Sequence, residues 1–280
     1  MVAALRVVAL LLAAFWAMLG FGVIDLSLLF FPNPVFALVM PLEVSWGSFV
    51  TFFLVVPLAT TAVRPAAFWG AAGLGVIAIV ALAVGAALMA YPPVLWMIAA
   101  VIVTVAAVLL LGVGGTRRGR IPAAPPLFGV HWLLLVLALA GPLLWVPYTI
   151  HAAQSFGVLV DDVTMGIDHW PVQAAAGVAV MLASLTAALV PRLRRLAVVA
   201  VAFCAAMIGV SAAGDATTPA ATETVLWAAW CVSWGTAVAL SAQTFTAQTF
   251  TEEARSASTP RGTKTAGPPE GSPAVVNRSD

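Results

Sequence analysis

Between Leu5 and Ala242 the chain is a succession of eight apolar runs, each long enough to cross a bilayer and each closed by proline, glycine or charge. A hydrocarbon layer of about 30 Å takes about 20 helical residues. In lipid every backbone amide must be satisfied internally, which makes runs of this length helices. The expected spans are Leu5–Ile24, Trp46–Val63, Ala66–Ala90, Val94–Val113, Leu127–Ile150, Val172–Val190, Leu196–Ala213 and Thr224–Ala242. The breaks between them fall at Arg64-Pro65, at Pro92-Pro93, from Gly114 to Pro126 and from Pro191 to Arg195. The expected fold class is all-α, a polytopic membrane protein with eight transmembrane helices. Only 8% of residues are charged, against about 25% in a soluble domain, which excludes an ordinary soluble globule. The first run reaches Ile24 without a short core and small-residue cleavage site, so it reads as a retained helix rather than a secretory signal.

The net charge of +1 gives no footprint for nucleic acid, but its parts are sorted. With the amino terminus inside, all twelve Lys and Arg residues fall on the inner side: Arg6, Arg64, Arg117, Arg118, Arg120, Arg192, Arg194 and Arg195, then Arg255, Arg261, Lys264 and Arg278. The outer loops hold Asp25, Glu43, Asp161, Asp162, Asp168, Asp215 and Glu223 and no base. Lys and Arg in short loops set orientation, so both termini are expected in the cytoplasm. Residues 1–242 form the expected transmembrane domain and 243–280 a cytoplasmic tail, disordered from about residue 252 because its Ser, Thr, Pro and Gly-rich composition has little to bury. Ala- and Val-rich usage with a single Lys points to the inner (plasma) membrane of a bacterium.

The two halves resemble each other weakly. The outer loops Asp25–Ser45 and His151–Pro171 have equal length, and each closes with an acid just before a tryptophan, Glu43 before Trp46 and Asp168 before Trp170. A parallel four-plus-four duplication would bring these loops together on the outer face.

Candidate site residues cluster there. His151, Asp161, Asp162, Asp168, His169 and Trp170, joined by Glu43 and Trp46, supply imidazoles and carboxylates that could hold a ligand, relay protons or bind Zn²⁺ or Cu²⁺. If a metal binds, His151 and His169 are its expected ligands, although the spacing matches no metal motif. Asp168 also suits a helix start. In the fifth helix Pro142 and Pro147 deprive the carbonyls of Ala138 and Leu143 of their helical donors. Trp227, Trp230 and Trp234 fall on one face of the eighth helix. Ala175, Ala179, Ala183 and Ala187 form a small-residue stripe on the sixth that lets helices approach closely. Cys204 and Cys231 form no paired motif and read as packing residues. No charge lies near the middle of a span, which disfavours a proton pump or ion-driven carrier.

These features favour binding or transport of a neutral or amphiphilic small molecule through an outward-facing pocket formed by the long loops, the fifth helix, Trp230 and Trp234. The alternatives are an assembly or scaffold subunit, or a haem- or metal-dependent membrane enzyme; the first four helices lack histidine, which weakens the haem reading. No catalytic motif is present. The expected partners are the lipid bilayer and a small-molecule or lipid ligand, with no cofactor or protein partner specified by the sequence.

Overall fold

The computed structural model describes residues 1–31, 39–118, 121, 127–159, 163–164, 166–214 and 225–258, the last sixteen of these by backbone alone. The helices are α1 (Val2–Met18), α2 (Gly22–Ser27), α3 (Met40–Val63), α4 (Phe68–Met89), α5 (Val94–Arg117), α6 (Trp132–Ser155), α7 (His169–Leu189), α8 (Arg194–Gly214) and α9 (Val225–Ser258). A two-residue hairpin, β1 (Val163–Thr164) with β2 (Ile167–Asp168), pairs antiparallel just before α7. Seven of the described helices, α3 to α9, are long and apolar enough to cross a membrane. Large apolar side chains such as Leu110, Leu139 and Leu143 lie on the outer surface, as a lipid-facing bundle requires. The protein is a multi-pass helical membrane protein.

The boundaries differ from the expected ones where backbone chemistry intervenes. The first run does not continue to Ile24: α1 ends at Met18, Phe21 takes a left-handed backbone (φ 59°), and α2 starts afresh at Gly22. On α1, Leu5, Ala9, Ala13 and Trp16 form the buried stripe, which packs against α3 and α5. The second run begins earlier than Trp46, because Pro41 suits a first helical turn. It also contains a wide π-type turn at Thr51–Val55. Pro57 has no amide to offer the carbonyl of Phe53, and a wide turn absorbs such a gap. In α6 the proline break falls at Gly141, which separates Trp132–Ala140 from Pro142–Ser155.

A helix runs from Val225 to Ser258, which takes in the first residues of the segment from about residue 252 that the composition marks as a tail. Glu252, Glu253, Ala254 and Arg255 are good helix formers. Residues up to Gln243 belong to one compact unit and those from Thr244 to another; 259–280 lie outside the described residues.

Central to the bundle is α7, which packs against α3, α4, α6 and α8. Its stripe Ala175, Ala179, Ala183 and Ala187 is fully buried, so these small side chains set close helix separations. At its far end Arg194 donates to the carbonyls of Ala187, Ala188 and Gly129, a cation satisfying the last carbonyls of a helix. The opposite end of α7 carries His169.

Candidate functional site

The residues of α3 from Pro41 to Val50 are all buried, as are those of α7 from His169 to Gly177. These are the first turns of the two helices, where polar residues would ordinarily meet the interface. Here they are enclosed by protein. Glu43 is therefore a buried helical residue rather than part of an exposed loop. It is joined by Asp25, which α2 buries against α3.

One contact between helices makes this possible. A Cβ added to Gly47 would lie 2.3 Å from the backbone nitrogen of Leu26, so only glycine lets α2 lie directly on α3. Trp46 fixes the same junction by donating its indole N–H to the carbonyl of Gly20 at 3.0 Å. On its other side the Trp46 ring stacks on the His169 imidazole, with centroids 4.7 Å apart and planes 27° from parallel. His169 Nδ1 lies 3.8 Å from Glu43 Oε1. One ligand atom each from Asp25, Glu43 and His169 lie within 4.8 Å of one another, and all three residues are buried. One turn beyond His169, on the same helix face, Gln173 is fully buried, and neither its side-chain oxygen nor its nitrogen is hydrogen-bonded to a described residue.

Asp168 behaves as a helix start requires: its Oδ1 accepts from the Trp170 amide at 2.9 Å. Its own amide donates to the Tyr91 hydroxyl at 3.2 Å, which ties the hairpin to the turn after α4. His151 does not join His169 in the cluster. It hydrogen-bonds Ser155 at 3.3 Å and lies edge-on to Trp170, with centroids 6.1 Å apart. Nearby, Ser45 and Tyr148 share a 2.6 Å hydrogen bond that joins α3 to α6. Asp161 and Asp162 lie outside the described residues.

The tryptophans of α9 divide. Trp227 and Trp234 pack on Trp145 of α6 and donate to the carbonyls of Leu144 and Leu137 at 3.3 and 3.0 Å. They thus serve the carbonyls next to the two that Pro142 and Pro147 deprive. Trp230 shares their helix face but is 61% exposed, at the margin of that face rather than in the contact with Trp145. Cys204 and Cys231 are both buried and unbridged.

Asp25 and Gln173 were not among the candidate residues. A carboxylate set between Gly22 and the apolar run Leu28 to Phe31 and a lone amide near the start of an apolar helix are the sequence signals for them. Comparison of the chain with protein-family models, curated proteins and solved structures gives no match.

Proposed function

We propose that this protein binds a small, positively charged ligand at the end of the bundle formed by α2 and the first turns of α3 and α7, as the binding step of uptake, export or sensing. The convergence of Asp25, Glu43 and His169 from three helices into one buried cluster carries this reading. Two buried carboxylates are costly unless compensated. No Lys or Arg occurs between Arg6 and Arg64 or between Arg120 and Arg192, so the basic group that α2, α3 and α7 bring to the cluster is the His169 imidazole, 3.8 Å from Glu43. Two carboxylates and an imidazole nitrogen converging within 4.8 Å complement a cation better than the neutral or amphiphilic molecule the sequence suggests. Polar groups convergent at helix ends inside a bundle are also where such proteins place ligands.

In this reading α1 provides an eighth crossing, both termini are cytoplasmic, and the carboxylate end faces outward from a bacterial inner membrane. The arginines beside the other helix ends support that orientation. Thermal unfolding of the purified protein with Na⁺, Mg²⁺, Zn²⁺ and spermidine tests the function. At least one should stabilise the wild type and fail to stabilise Glu43→Gln. Identical curves for the two proteins with all four cations would refute it.

A further inference from the structure

We infer that the ligand is a divalent transition-metal ion of the Zn²⁺ type, held by Asp25, Glu43, His169 and the side-chain oxygen of Gln173; this rests on the cation-binding reading above and specifies it. The donor set decides among cations. An imidazole nitrogen is a poor ligand for Na⁺, Mg²⁺ or Ca²⁺, which prefer all-oxygen shells, whereas imidazole with carboxylates suits Zn²⁺ and its neighbours. The absence of a thiolate or thioether from the set argues against Cu⁺.

The spacing agrees. With Zn–N and Zn–O distances of about 2.0–2.1 Å, the donors of a tetrahedral site stand about 3.4 Å apart. His169 Nδ1 and Glu43 Oε1 are separated by 3.8 Å, too long for a hydrogen bond and close to that edge. The outer bound of 4.8 Å for the three ligand atoms requires movements of about 1 Å, within the reach of side-chain torsions. Gln173 supplies an independent indication: a fully buried amide with both polar atoms unpartnered among the described residues is costly, and ligation through its oxygen relieves part of that cost. The ion would also neutralise the two carboxylates and tie together α2, α3 and α7. Trp46, stacked on His169, holds the imidazole plane, the orienting role that groups around metal-bound histidines commonly play.

Co²⁺ is the probe, because its visible d–d bands report coordination number. Full-length protein in detergent, stripped with chelator and titrated with Co²⁺, should develop the intense bands of four-coordinate cobalt at about one ion per chain, and Zn²⁺ should bleach them. Pulsed electron paramagnetic resonance of the Co²⁺ form should show one coordinated imidazole nitrogen. Glu43→Gln and Gln173→Leu should each weaken Co²⁺ binding, the first by more than about 100-fold. His131→Asn, at the opposite end of the bundle, should leave it unchanged. The wild-type spectrum is decisive even if a variant fails to fold. Weak octahedral bands, or no imidazole coupling, would overturn the metal assignment. If Na⁺ or spermidine still stabilised the wild type but not Glu43→Gln, the broader reading would stand without the metal; if no cation did so, both would fall.

Discussion

Replacing Gly47 by alanine tests how the site is assembled. The new Cβ would stand 2.3 Å from Leu26 N and 2.9 Å from both Gly22 O and Leu26 Cα. Ordinary contact begins at 3.4 Å, so α2 must retreat by about 1 Å, and all three obstacles are backbone atoms that no side-chain rotation removes. Overpacking of this kind costs about 1–3 kcal/mol, offset by the gain of up to about 1 kcal/mol from alanine in a helix interior. The expected net loss is about 1–2 kcal/mol. Gly114→Ala is the control. Its Cβ meets an even closer atom, Met1 Cε at 1.9 Å, but that atom ends a flexible side chain that can swing aside. Gly114→Ala should therefore be neutral or stabilising by up to about 1 kcal/mol. Reversible unfolding in mixed detergent and SDS micelles measures both. The retreat of α2 also carries Asp25 away from Glu43, so Gly47→Ala should weaken cation binding while Gly114→Ala does not. Equal effects of the two substitutions, or a neutral Gly47→Ala with full binding, would refute the argument from backbone contact.

Three further outcomes are expected. His131 caps α6 by accepting the Leu134 amide at Nδ1, and burial, then the charge of Arg194, lowers its pKa. Its neutral form is favoured in the folded state, so its contribution is fully present above about pH 6.5 and is lost as pH falls below that value. Unfolding of the wild type should thus lose about 1 kcal/mol relative to His131→Asn on going from about pH 7.5 to about pH 5, and parallel pH profiles would count against the cap. Trp234→Phe removes the donor to Leu137 and should cost about 1 kcal/mol, whereas Trp230→Phe on the exposed face should change stability by less than about 0.5 kcal/mol; equal losses would contradict the division of the stripe. Finally, cysteines placed at the exposed positions Phe128 and Val158, near opposite ends of α6 in a background lacking Cys204 and Cys231, should differ in labelling. Val158→Cys should react with an impermeant thiol reagent in intact cells and Phe128→Cys only after permeabilisation, and the reverse would invert the proposed orientation.

The helical membrane class was readable because it depends on long apolar runs and their punctuation, which one residue at a time cannot obscure. Details failed where backbone chemistry is local: Phe21 in a left-handed turn ends α1 before Ile24, and the wide turn before Pro57 leaves no periodic trace in so uniformly apolar a helix. The site was legible in part. Glu43, Trp46 and His169 stood out as polar or aromatic residues flanking apolar runs, and they meet across two helices. Their neighbours Asp161 and Asp162 belong to the same acidic segment and lie outside the described residues. Asp25 escaped because the charge separation across the membrane already explained an acid at that position. Burial distinguishes the two cases: an acid placed there by topology alone faces water, whereas Asp25 and Glu43 are enclosed. Trp230 shows the converse, since offsets of three and four define a broad face but not which part of it meets a neighbour.

Zinc content per chain tests the central claim most directly. After equilibration with Zn²⁺ and gel filtration, elemental analysis by mass spectrometry should find about one zinc per wild-type chain and almost none in Asp25→Asn or Glu43→Gln that elute as the wild type does. Equal zinc in wild type and both variants, or none in any of them, would contradict it.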